Sequence, residues 1–138
     1  MSKKLDKQQR VAVVPVIVGK KKRSIGLVTS RAAHHWIIPT GKTERKLSNR
    51  QVARLEAFEE GGMLGKLDKH FSTQIRLPSP CGQYERKTTV YVLYVKRLLK
   101  TWPEDNERRR KQVSAKAYLQ SVCCAELKKK LSRAKIVR

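Results

Sequence analysis

β-Branched and aliphatic residues gather in short runs along this chain, and polar turns divide the runs. Residues 10–18 form the first, dense in valine, and predict a buried strand. The turn at 19–23, glycine followed by four cations, leads to a second strand at 24–29, so the two predict a hairpin. Residues 36–38 predict a short strand. Ser48 or Asn49 can cap a helix that runs to Glu60, where Gly61 and Gly62 supply the stop. Residues 71–77 and 88–95 predict further strands on either side of the turn-prone segment 78–82. A last helix is expected from about Ser114, with Leu119, Val122, Cys123, Leu127 and Leu131 as its apolar stripe and cations toward its end. Mixed strands with two helices predict an α/β layered domain.

At 138 residues the chain can bury one core and hardly two, so residues 1–138 read as a single domain. The first nine are expected to be a flexible basic N-terminus. Met1, Ser2, Lys3 and Lys4 lead into charge rather than into a signal-peptide core, and no apolar run is long enough to span a membrane. These features predict a cytoplasmic protein without a membrane partner. Cys123 and Cys124 are adjacent and Cys81 stands alone, so the cysteines suggest reduced thiols rather than a disulfide framework or a zinc site. His34, His35 and His70 have no ligand-like spacing with the cysteines and read as surface or packing residues, with substrate contact by His34 or His35 the lesser alternative.

Charge changes the picture. Thirty-three Lys and Arg stand against 11 Asp and Glu, a net charge of +22, so clustered acid is unexpected. Yet Glu56, Glu59 and Glu60 fall within five residues of the predicted helix, with Glu44 nearby. Positions i, i+3 and i+4 share a helix face, where three carboxylates repel one another unless a cation sits among them. A hard divalent ion, Mg²⁺ or Mn²⁺, suits such oxygen donors. The competing reading of the three glutamates is a solvated helix edge.

The spacing resembles the Nudix box, G-x5-E-x7-R-E-U-x-E-E-x-G-U with U aliphatic. Gly41, Glu56, Glu59, Glu60, Gly62 and Met63 fall on the pattern, Ala57 takes an aliphatic position, and Leu47 and Leu55 replace the first glutamate and the arginine. Trp36, Ile37, Ile38 and Pro39 precede it as a strand entering the loop. Over residues 10–122 the chain is similar to the diphosphoinositol polyphosphate phosphohydrolases within that family, through Ser30-Arg31, Gly65 and Leu67, Glu85-Arg86-Lys87, Trp102 and Arg110-Lys111. Thr40-Gly41-Lys42 departs from their Gly-rich triplet.

The resemblance implies a Nudix α/β/α sandwich with a mixed sheet and a metal-dependent pyrophosphohydrolase. Its substrates would be diphosphoinositol polyphosphates, dinucleoside polyphosphates or a comparable anion. It implies Glu56 and Glu60 as metal ligands, helped by the backbone near Thr40 and Gly41, and Glu59 within the same metal set as the proton acceptor. Arg10, Ser30, Arg31, Arg86, Lys87 and Arg110 are implied as substrate contacts, since guanidinium groups grip phosphate in pairs. Leu55 cannot orient Glu59 as an arginine would. The alternative is a catalytically weakened module that binds polyphosphate, or nucleic acid nonspecifically, through its basic surface.

Overall fold

The computed structural model describes residues 4–31, 34–79, 83–122, 124–134 and 136–137, and of residues 4–7 only the backbone. The chain runs β1 (Lys4–Val18), β2 (Arg23–Thr29), β3 (Trp36–Ile37), β4 (Thr40–Lys42), α1 (Asn49–Gly61), β5 (Met63–Pro78), β6 (Tyr84–Leu98), β7 (Arg110–Ser114), α2 (Ala115–Ser121) and α3 (Ala125–Arg133). The strands form one mixed sheet in the order β3-β2-β1-β6-β5, with β4 added on β1 and β7 on β2.

Strand alternation builds two cores from one sheet. Ala12, Val14 and Val16 of β1, with Val90 and Val92 of β6, face α2 and α3 and meet Leu119, Leu127 and Leu131. Their neighbours Val11, Val13, Tyr91 and Leu93 point the other way, onto Val52, Ala53 and Ala57 of α1. Helices on both faces explain why residues 10–18 read as a continuous apolar run rather than an alternating one. The α/β/α sandwich that the resemblance implies is the observed architecture.

β1 makes the functional end of the molecule. It pairs in parallel with β6 along one edge, while on the other it gives Val16 to Val18 to β2 and Arg10 to Ala12 to β4. Between those partners the edge opens, and the Val13 amide donates to Pro39 O instead. An opening between neighbouring strands leaves room for a ligand at the sheet's end.

Helix α1 is defined at both ends. Ser48 accepts from the Gln51 amide while the Gln51 side chain accepts from the Ser48 amide, a reciprocal box worth about 0.5–2 kcal/mol in its serine half. Gly62 closes the helix at φ 61°, a left-handed conformation that glycine adopts without a Cβ penalty.

Four expectations need correction. The strand read at residues 10–18 begins at Lys4, because residues 4–6 pair with 84–86 of β6, so residues 4–9 are not a loose tail. The strand read at 71–77 starts at Met63 and passes a register shift between Leu67 and Ser72, which the interrupted polar pattern conceals. The single last helix is two: α2 stops at Val122, whose backbone is extended, and α3 restarts after Cys124. Valine and cysteine are indifferent helix formers, and Cys123 lies outside the described residues. β7 was not expected, since its Arg110, Lys111 and Gln112 do not read as strand.

Candidate active site

An α-helix leaves its last carbonyls without partners, and α1 satisfies its own by recruiting a distant loop. Gly62 N–H donates to Phe58 O, Glu104 N–H to Glu59 O at 3.0 Å, Leu99 N–H to Gly62 O at 2.8 Å, and Arg110 Nη1 to Gly61 O at 2.8 Å. Residues 99–110 are thereby clamped to the end of the helix that carries the three glutamates. That clamp delivers two residues the sequence reading missed, Glu104 and Arg108.

Glu60 is the buried member of the acidic group, at 3% exposure. Its Oε1 accepts the Thr40 amide at 3.1 Å and its Oε2 lies 3.4 Å from Arg108 Nη2. Burial, then a hydrogen bond shared with Glu56, pushes the Glu60 carboxyl up to about 9 against the pull of Arg108. Burial also raises Glu56, with the Glu59 and Glu104 charges adding to the effect. The two carboxyls titrate as a pair. Glu59 is half-buried and raised by desolvation, then by the Glu104 and Glu44 charges. Gly41 belongs to the same construction: a Cβ there would collide with the Glu56 carboxyl, so only glycine lets that side chain lie across β4.

These acids line a cavity of about 970 Å³, at the upper end of the roughly 300–1,000 Å³ usual for ligand sites. Glu56, Glu59, Glu60 and Glu104 stand on one side. Arg10, Lys42, Arg86, Arg31 and Arg108 supply cations, and Leu27, Ile38, Leu77, Val122 and Leu127 give an apolar wall beneath α2 and α3. The helix break at Val122 is thus a wall of the cavity. Arg31, 62% exposed, bridges Glu104 at 3.2 Å and Glu107 at 3.0 Å across the mouth.

Nine of the eleven residues expected at the site line this cavity: Thr40, Gly41, Glu56, Glu59, Glu60, Arg10, Ser30, Arg31 and Arg86. Two do not. Lys87 follows Arg86 on β6 and so points to the opposite face, exposed and across from Arg76. Arg110 lies behind the site, bonded to Gly61 O with its guanidinium 4.3 Å from the Trp102 ring centroid. His35 lines the cavity as well, and Ser30 Oγ accepts its backbone amide. Leu47 packs against the α1-side core.

Among the described residues no three His, Cys, Asp or Glu side chains are gathered as a ready metal cage. The donor set fits a looser site. Glu56 and Glu60 are close enough to share a hydrogen bond, open to the cavity and disfavoured as bare anions. Mg²⁺ is ordinarily held by one or two carboxylates together with water and substrate phosphate rather than by an all-protein cage. The pair matches that habit, with Glu59 and Glu104 beside it.

Comparison with known proteins identifies the family and the fold. The chain is 32% identical over 101 residues to "Nudix hydrolase 16, mitochondrial" of Arabidopsis thaliana, a match that takes in 69% of the chain and 56% of that protein's length. No protein-family model matches. Among solved structures, the Ap4A hydrolase of C. elegans superposes with a TM-score of 0.66 at 14% identity, covering 93% of this chain and 96% of that one. In its binary complex the score is 0.67 at 16% identity. A MutT/nudix family protein of Enterococcus faecalis gives 0.60 at 15%, covering 83% of this chain and 46% of its own. The fold is the Nudix fold, and the chain belongs to the Nudix family. It spans little more than half the length of the curated relative it matches.

Proposed function

We propose that the protein is a divalent-metal-dependent pyrophosphohydrolase acting on a dinucleoside polyphosphate. The observation that carries this is the composition of the cavity: clustered acids, several cations and an apolar wall line the same space. An inositol polyphosphate would use the cations and leave the wall idle, whereas a nucleoside has an aromatic base to lay against it. The names of the relatives, a Nudix hydrolase and Ap4A hydrolases, support the same class.

In this reading Glu56 and Glu60 hold Mg²⁺ or Mn²⁺, which when bound supplies charge neutralisation on the phosphate oxygens. Glu59 accepts a proton from the attacking water, whose oxygen bonds to phosphorus as the bridging P–O bond breaks. The second phosphate departs with that bond's electron pair. Arg10, Arg86 and Arg31 offset the polyphosphate charge and fix its path. Lys87 and Arg110 take no part in the pocket.

Among the described residues no helix is long and apolar enough to cross a membrane. Cytoplasmic residence is proposed on the chain's charge and on Cys124, a free thiol. The test is a panel of dinucleoside polyphosphate, diphosphoinositol polyphosphate and nucleoside triphosphate, with and without Mg²⁺ or Mn²⁺, read by product mass. Metal-dependent cleavage preferring the dinucleoside substrate is expected. Binding without cleavage under every metal would replace it with the binding-module reading, which the leucines at positions 47 and 55 favour.

A further inference from the structure

We propose that Arg108 positions the metal-binding carboxylate of Glu60, and Glu104 beside it, from a loop outside the box. The inference rests on the proposed metal-dependent reading of the acidic site.

Arg108 is 9% exposed in its side chain, and each guanidinium nitrogen is committed to a different element. Nε donates to Glu104 Oε1 at 2.7 Å, Nη1 to Thr29 O at 2.9 Å, and Nη2 faces Glu60 Oε2 at 3.4 Å. One rigid plane therefore ties the end of β2, the loop after β6 and the end of α1. With Thr40 N–H on the other oxygen, the Glu60 carboxyl is held at both atoms, and its plane is fixed. Glu104 is fixed from the same plane. The neighbouring Arg109 amide bonds Thr29 Oγ1 at 3.0 Å, so the backbone that carries Arg108 is anchored as well.

The arrangement calls for the fork of an arginine. A lysine places one ammonium and cannot serve three acceptors in one plane. It also distinguishes orientation from charge. A cation whose only contribution were its charge would repel an incoming dication, and removing it would tighten metal binding. A cation that aligns ligands would loosen binding when removed, by about 10–100-fold, the usual scale for groups that orient metal ligands.

The experiment measures Mn²⁺ binding to the full chain, by electron paramagnetic resonance of the free ion, for wild type, Arg108→Lys and Arg108→Gln, with melting curves alongside. Both variants are expected to bind Mn²⁺ more weakly by that factor, and Arg108→Lys to do so while still melting cooperatively. Arg108→Lys binding Mn²⁺ as wild type does, or a folded Arg108→Gln binding it more tightly, would overturn the positioning role alone. A wild type that binds no Mn²⁺ would overturn the metal reading and this inference with it.

Discussion

The Glu56 carboxyl occupies the space in which a side chain at Gly41 would have to begin. The helix that bears the acids and the short strand that faces them are fitted together at a point where a larger residue at position 41 must displace Glu56. Gly41 is buried between them, and the Thr40 amide just before it holds Glu60.

Gly41→Ala should therefore displace Glu56 rather than unfold the protein. Because the obstructing atoms are the far end of a flexible side chain, a loss of about 1–3 kcal/mol is expected, the ordinary scale of overpacking. Turnover should fall further than that stability change alone would suggest. Thermal melting and Mn²⁺ titration on the same preparation separate the two effects. A variant with wild-type metal binding would show that Glu56 has no part in it.

The carboxyl pair makes stability depend on pH in a defined direction. Glu60 is raised from 4.5 to about 9 and Glu56 is raised too, so between those values the folded protein binds more protons than the unfolded chain. Its stabilising contribution is complete below about pH 4.5 and declines as pH rises toward 9. Metal-free protein should melt at progressively lower temperature across that window, and Mg²⁺ or Mn²⁺ should restore most at the alkaline end, where deprotonated ligands are favoured. Glu60→Gln should flatten the slope.

Two carboxylates compete for the role of proton acceptor. Glu59→Gln is expected to lower kcat by about 100-fold or more, the low end for a positioned base, with KM little changed. Glu104→Gln should have the smaller effect on kcat. The reverse ranking would move the base from α1 to the loop that α1 recruits.

The cations sort by place. Arg31→Ala should raise KM for a polyphosphate substrate, because Arg31 lies at the mouth and can exchange Glu104 and Glu107 for phosphate oxygens. Lys87→Ala, on the far face of the sheet, should leave KM unchanged. Arg110→Ala should cost stability instead, about 1–2 kcal/mol from the lost carbonyl bond and ring contact. Kinetics and melting curves on the three variants check the division.

The local signals in the sequence were strong where the chain is regular. The valines of β1 announced a buried strand, Ser48 and Gly62 set the ends of α1, and helical spacing brought Glu56, Glu59 and Glu60 to one cavity. What stayed hidden depends on partners distant in the chain. Charged β7 is a strand because β2 offers it an edge, and Glu104 and Arg108 reach the site because the end of α1 needs donors. No pattern within a short window contains either fact. Lys87 could have been excluded from the sequence alone, since adjacent strand residues face opposite sides and Arg86 and Lys87 cannot both enter one pocket.

The parallel pairing of β1 with β6 also sets an order of events during synthesis. Arg10 finds Thr88 and Val16 finds Tyr94, so β1 waits for β6, which is made only after α1 and β5. Until β6 emerges, the valines of β1 lack their parallel neighbour and have only β2, β4 and α1 to shelter them. Such long-range closure slows folding and leaves apolar edges open to other chains. Refolding yield should thus fall with protein concentration, and a nascent chain halted before residue 98 should depend on chaperones that the finished protein does not need.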